Sequence, residues 1–561
     1  MEMESSPGSQ LKPVHQEAQE RPGRNRGGWI TLPFIAGSML GLGLAINGTT
    51  SNLLVYLLKE YNVESIDAAQ IANIIRGSLN LVPVAGAVVS DSYFGCFPVI
   101  LAGTVINILA FVLFTLTAAL PSLRPPHCAP PSAVCPHGTP GQLTVLYAAV
   151  CLLAIGTGGT RFNVATLGAD QFGSAHEQDT FFNWYFVFLY ASFIVGDTAI
   201  VYLQDGVSWA LGFSVCLGTT VASLVMLLLG ARYYRMPVPK GSPYTELARV
   251  VVAAVRKARV DVAGRRLQYY VGDGTVADSG SDGAPSKRLG FLNRAAVITA
   301  SDGTAETTGG GHRSSGWRLC TVQQVEDLKS LLGVLPLWSS GILVSVSIGV
   351  MIGMVILQGL AMDRSLGPTF KIPAGSITVC SLAAFIAATP VLERAVFPLW
   401  CRVTGVLPTP LQRVGLGHVV NVAGMVAAAL VERRRLSVMR AHHGADEALG
   451  WVTPMSVLWL LIPLAIVGVG EALHFPGNMA FYYQEFPKTL RSTATAMAPL
   501  LIAMGFYLST VFVDVVRRVT AWLPGNINQG RLDNVYWTVA VTATVNFGYF
   551  LVCVCLYKSR K

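Results

Sequence analysis

Apolar residues gather in long runs broken by short polar stretches, with no period-two alternation to suggest strands. Runs long enough to cross a bilayer, roughly 20 residues each, cover 30–58, 69–90, 97–119, 143–162, 181–203 and 209–231, then 332–358, 373–392, 410–431, 453–480, 493–516 and 534–557. The first is no cleavable signal peptide, because it is too long and follows an ordinary polar tail. An even number of spans puts both termini on one side. Arg21, Arg24, Arg26, Lys558, Arg560 and Lys561 assign that side to the cytoplasm, where basic residues accumulate. Arg433, Arg434, Arg435 and Arg440 disagree, since they follow the ninth run on the outer side, but orientation is set by the overall bias.

Twelve helices in two groups of six form the pattern of the major facilitator architecture, an all-α membrane fold in which two related halves enclose a midplane site. The expected organisation is a cytoplasmic tail (1–28), a first six-helix half (29–231), a cytoplasmic linker (232–331), a second six-helix half (332–557) and a short cytoplasmic tail (558–561). In the linker, Ser242 and Pro243 suit a helix start. Leu247, Val250, Val251, Ala254 and Val255 then recur at helical spacing, giving an amphipathic helix that lies on the inner membrane face, packs against the bundle or merely connects the halves. Residues 271–316, rich in Gly, Ser, Asp and Thr, are expected to be largely disordered. Thr321 with Gln324 resembles a capping box leading into the seventh span.

Composition narrows the class. Only 13% of the 561 residues are charged and 52% are hydrophobic, against about 25% charged in a soluble domain, which argues against a soluble enzyme. The net charge of +9 lies mostly in the tails and linker, as positive-inside topology requires, so nucleic acid is not an expected partner; the bilayer is. No Cys/His spacing suggests zinc, and no cofactor is expected. Cys128 and Cys135 share the Pro-rich loop after the third span, placed outside, and are candidates for a disulfide.

Two ionisable side chains stand in otherwise apolar spans: Arg161 and Glu471. A charge at membrane depth usually faces a protein-lined cavity and marks a functional site. Arg161 reads as the sole cationic side chain deep in the first half. Glu471 and His474 are three residues apart on one helix face, with Asn478 a further turn along. His474 is either a proton carrier or a hydrogen-bonded histidine near Pro476. Asn47, Thr49 and Thr50 are the polar residues left in the first span and candidates to line the cavity. Asn47 to Thr49 fits a glycosylation sequon but lies inside a span.

Six local motifs carry more information in combination. GAVVSDSYFGCFPVI (Gly86 to Ile100) joins spans two and three, GTGGTRFNVATLGADQF (Gly156 to Phe172) ends span four, and FFNWYF (Phe181 to Phe186) opens span five. The second half adds QGLAMDRSLGPTFKIPAGS, beginning at the candidate site residue Gln358, TPLQRVGLG (Thr409 to Gly417) and FYYQEFPKTLRSTATAM (Phe481 to Met497). Together they resemble the proton-dependent oligopeptide transporter family, in its plant nitrate/peptide transporter branch, from about Gly28 to Lys558. The stretch WLPGNINQGRLDNVYW resembles the sub-branch of nitrate and chloride transporters, nitrate excretion carriers included, which also holds glucosinolate carriers. Gly86, Asp91 and Gly95 suit a gating turn. The family usually places basic residues just after this last glycine, whereas Cys96 and Pro98 stand here.

The first span departs furthest. The resemblance implies an E-x-x-E-[RK] cluster that carries the coupling proton, and Met39, Leu42 and Gly43 occupy those positions. From Gly27 to Leu58 the only titratable side chain is Tyr56, whose usual pKa of about 10 is too high for the task. Either coupling is lost or another residue carries it. Arg161, typically lysine in the family, then lacks its usual counter-ion. A planar oxygen-bearing anion can fill that place; the alternative is a gating salt bridge to Glu471. Ile348 and Val99 stand where the dual-affinity nitrate member has its nitrate-contacting histidine and its phosphorylated threonine, so high-affinity switching is not expected.

The expected function is therefore low-affinity carriage of a small anionic substrate, nitrate with chloride as a further candidate, by alternating access, weakly or not proton-coupled and able to run as efflux across the plasma membrane rather than the vacuolar membrane. One alternative keeps the carrier and changes the cargo to a larger anionic metabolite or peptide, admitted by Gly41, Gly43, Ala45 and Gly48. Another is a transport-inactive receptor or partner of active carriers.

Overall fold

The computed structural model describes residues 27–126, 136–236, 243–258, 268–272, 275–278, 283–299, 317–368, 370–442, 452–486 and 491–558. Twelve helices there are long and apolar enough to cross a membrane: Trp29–Glu60, Ser65–Phe94, Cys96–Ala119, Pro140–Ala169, Thr180–Val207 and Trp209–Gly230, then Val322–Leu360, Ala374–Thr404, Pro410–His442, Val457–Tyr482, Ala496–Val519 and Leu532–Tyr557. They are the first to twelfth spans below. The expected all-α architecture is present. Cys128 and Cys135 lie outside the described residues, as does Ser242.

Several helices outrun their apolar stretches because caps and packing carry them on. The seventh starts at Val322, where Thr321 accepts from the Gln324 backbone N–H at 3.2 Å and Gln324 Oε1 accepts from the Thr321 N–H at 3.0 Å. The expected capping box is formed. The ninth runs to His442 and so carries the basic residues that disagree with the topology. Arg435 is fully buried: its guanidinium donates to both Glu432 oxygens at 2.7 and 2.8 Å and to Asn528 Oδ1 at 2.6 Å. Arg434 stacks over Trp459 at 5.0 Å. These two are built into the fold and are not free loop charges.

The linker helix is Pro243–Arg256. Its Leu247, Val250, Ala253 and Ala254 are buried in one apolar cluster with Leu292, Ala295, Ala296 and the start of the seventh span, while Val251 and Val255 stay exposed. Of the expected placements, it takes the one against the bundle. Part of the stretch expected to be disordered is ordered: strands Gln268–Gly272 and Thr275–Asp278 pair antiparallel, and a 3-10 turn, Gly290–Ala296, supplies the buried residues just named. A few apolar residues among many polar ones suffice there because the linker helix gives them a partner. Residues 300–316 lie outside the described residues.

The halves meet toward the end of the bundle away from the termini. Arg517 reaches Asp67 at 2.5 Å and Glu64 at 3.0 Å. Ser376 donates to the Asp197 carbonyl at 2.7 Å, and Asn73 donates to the Gly349 carbonyl at 3.0 Å. Nearer the middle, Ser78 and Tyr507 are 2.9 Å apart. Inside the first half, glycines set the helix spacing: a Cβ on Gly86 would lie 2.0 Å from the Gly158 carbonyl oxygen, and one on Gly159 2.8 Å from that of Val99. Such contact of backbones needs small residues.

Candidate functional site

A cavity of about 50 Å³ lies within the first half, lined by residues of spans one, four and five. Its polar groups are the Arg161 guanidinium, the Asn47 amide and the hydroxyls of Thr157, Thr160 and Tyr185. Met39, Leu42 and Gly43 form part of the wall. The three positions where the family resemblance implies a charged cluster therefore face Arg161's cavity, as a thioether, an aliphatic chain and bare backbone. No carboxylate lines it. Thr157 Oγ1 has no hydrogen-bond partner among the described residues, while Asn47 Nδ2 donates to the Gly43 carbonyl at 2.8 Å.

Arg161 Nη1 donates to the Leu79 carbonyl at 3.2 Å and to Asn80 Oδ1 at 3.4 Å. No ion pair joins it to Glu471 among the described residues; Glu471 instead accepts from Ser381 at 3.4 Å, within the second half. The alternative of a salt bridge across the halves is not realised in this conformation.

Arg161 is also not the sole cation deep in the first half. Arg76 sits within the second span, one helix turn from Asn80, and Asp197 in the fifth span lies within its electrostatic reach. Both were legible as charges inside hydrophobic segments, in IANIIRGSLN and IVGDTAIVYL.

Other candidates lie elsewhere. Thr49 is buried against the sixth span, with its hydroxyl 3.7 Å from Cys216 Sγ. Thr50 bonds back to the Ile46 and Asn47 carbonyls of its own helix at 2.9 and 3.1 Å. Neither lines the cavity, because their side of the first span packs on its neighbours. Gln358 belongs to the buried Glu432–Arg435 network, donating to Glu432 Oε2 at 2.6 Å and accepting from Tyr536 at 2.9 Å.

His474 is fully buried inside the second half, with Nε2 3.0 Å from Asn478 Nδ2 and its ring 5.2 Å from that of His418. Glu471 and His474 thus meet different neighbours despite their spacing: Glu471 the eighth span, His474 the ninth. His418 was missed, since one histidine in an apolar helix gives no sequence signal of a partner.

The turn at Asp91 and Gly95, expected to gate, forms as a single π-turn, Ser90–Phe94, closing the second span. Gly95 has φ 80°, a left-handed conformation that favours glycine. Asp91 has no ion pair among the described residues, and Cys96 and Pro98 follow where the family usually has basic residues. Of the residues named for the larger-cargo alternative, Gly43 alone lines the cavity. A Cβ on Gly41 would meet Ser223 Oγ at 2.2 Å and one on Gly48 would meet Ile200 Cβ at 2.6 Å, while Ala45 is fully buried.

Comparison with known proteins gives concordant results. Residues 97–529 match the POT family. The chain is 45% identical over 541 residues to Protein NRT1/PTR FAMILY 2.3 of Arabidopsis thaliana, covering 96% of this chain and 94% of that protein. It is 44% identical over 537 residues to Protein NRT1/PTR FAMILY 2.7 of the same plant, with the same coverage. Its fold is similar to the crystal structure of the POT family transporter PepTSo, at TM-score 0.70 and 15% identity over 95% of this chain and 99% of that one. An auto-inhibited POT family peptide transporter matches at TM-score 0.69 and 16% identity, over 95% and 97% of the two chains.

Proposed function

Because the chain belongs to the POT family of membrane transporters, in its plant NRT1/PTR branch, we propose that it carries small planar or spherical anions, nitrate first and chloride second, by alternating access without obligatory proton coupling. The observation that carries this reading is the cavity: a guanidinium, an amide and hydroxyls converge there, and apolar side chains stand where a carboxylate cluster would neutralise the cation. An uncompensated charge held among low-dielectric walls attracts an anion strongly, and the planar fork of arginine suits a planar oxyanion. Hydrogen bonds to two groups of the second span fix the guanidinium in place.

The closed end distal to the termini, with the termini in the cytoplasm of a plasma-membrane carrier, corresponds to an inward-facing state. An anion entering from the cytoplasm meets Arg161, and rocking of the halves exposes it to the other side. A negative-inside potential supplies about 2.3 kcal/mol per 100 mV to each exported charge, so efflux is the favoured direction. A larger anionic metabolite is the second reading, and it requires the cavity of about 50 Å³ to widen as the halves rock.

Tracer nitrate flux through proteoliposomes, measured in both directions, tests this. Arg161→Ala is expected to abolish flux with the protein still inserted and folded, and Arg161→Lys to retain part of it, since the charge remains without the fork. Normal saturation in the Ala variant would remove Arg161 from the site. Block by large organic anions, themselves transported, would favour the second reading.

A further inference from the structure

The second span brings two arginines to successive levels of one helix face. Arg76, Leu79 and Asn80 are spaced i, i+3 and i+4, so they share that face. Arg161 donates to Leu79 and Asn80, and Asn80 Nδ2 donates to the Arg76 carbonyl at 2.8 Å. At 1.5 Å rise per residue, Arg76 lies about 5 Å further along the helix axis, toward the closed distal end. Neither guanidinium makes an ion pair among the described residues. Arg76 Nη1 is sealed from solvent and has no hydrogen-bond partner among the described residues. A cationic donor left unmatched is costly unless something else fills its place.

Asp197 lies within electrostatic reach of Arg76, but no ion pair joins the two among the described residues. It sits on a single π-turn of the fifth span, Gly196–Ile200. Its Oδ1 accepts from Ser51 at 2.6 Å, and its carbonyl accepts from Ser376 of the second half at 2.7 Å. Opening the distal end breaks the Ser376 contact and moves the element that carries the carboxylate.

We propose that Arg76 is a second anion-binding position, one helix turn from Arg161 on the distal side, and that Asp197 is its internal competitor. A transported anion steps from Arg161 to Arg76 as the distal end opens, and Asp197 repels it onward. The anion's class rests on the reading of Arg161 given above.

The test is nitrate saturation of full-length protein in oriented proteoliposomes, with nitrate varied at one face at a time. Arg76→Gln is expected to raise the half-saturating concentration at the distal face by about tenfold, the loss of one charge-assisted hydrogen bond, with little change at the proximal face. Arg76→Lys should lie between, and Asp197→Asn should lower the distal value. If Arg76 merely balances the charge of Asp197, both single variants will reduce the amount of active carrier at unchanged half-saturation, and Arg76→Gln with Asp197→Asn will restore it. That result overturns the proposal. If Arg161→Ala abolishes flux while Arg76→Gln saturates normally at both faces, this proposal alone falls. If the unmodified protein moves neither nitrate nor chloride, both fall.

Discussion

At the scale of single residues, similar chemistry serves opposite ends in the two halves. Arg435 is buried and matched by Glu432, Asn528 and, through Glu432, Gln358. Arg161 is held by one carbonyl and one amide oxygen, with no acid beside it. The first arrangement is internally matched; the second leaves the guanidinium without an acid, which is the basis for proposing a ligand there. Removing one member of a buried pair leaves the other uncompensated, so Arg435→Met is expected to destabilise the protein by about 3–5 kcal/mol. Adding Glu432→Gln should recover much of that loss. Thermal unfolding in detergent reads both; equal unfolding temperatures for the single variant and the parent would show that the pair carries no such penalty. Sequence alone revealed both arginines but not which was matched, since their partners lie on other spans.

Among elements, the apolar runs located every span, because a bilayer crossing needs an apolar stretch of known length. They located faces poorly. A helix surrounded by protein and lipid is apolar nearly all round, so no polar stripe told Thr49 and Thr50, which pack on neighbours, from Asn47, which lines the cavity. Arg76 and Asp197 were as legible as Arg161, each a charge inside an apolar run, but only the fold brings them within electrostatic reach of each other. Gly41 and Gly48, expected to admit cargo, face packed neighbours instead, and Gly86, expected in the turn, carries the strongest packing demand. Gly86→Ala should push the second and fourth spans apart, costing about 1–3 kcal/mol and lowering the unfolding temperature, whereas Gly141→Ala meets nothing within 4 Å and should change little. Equal behaviour of the two variants would mean that the close approach of these spans is not needed.

Considered as a whole molecule, the protein is two six-helix halves closed toward one end, with Arg161 in the first half and Glu471 in the second. If these charges meet when the other end closes, Arg161→Gln and Glu471→Gln will be non-additive in transport, with the double variant less impaired than the sum of the single losses. Additive losses would mean that the charges act separately throughout the cycle. The family and the two-half fold were legible from six motifs in order; the loss of the first-span carboxylates was equally legible, and the cavity wall formed by Met39, Leu42 and Gly43 gives that loss its physical meaning. On the proposed reading, with no acid facing Arg161, a transported anion moves as a net negative charge, and transport is expected to be electrogenic and insensitive to the proton gradient.

The most direct test of that claim is the reversal potential of nitrate current through the purified protein in a planar bilayer, with nitrate as the sole permeant anion. An uncoupled carrier predicts a shift of about 59 mV for each tenfold nitrate gradient and no shift when pH is changed on one side at fixed nitrate. Flux of nitrate without current, or a reversal potential that follows the pH gradient, would show that protons travel with the anion and would contradict the account.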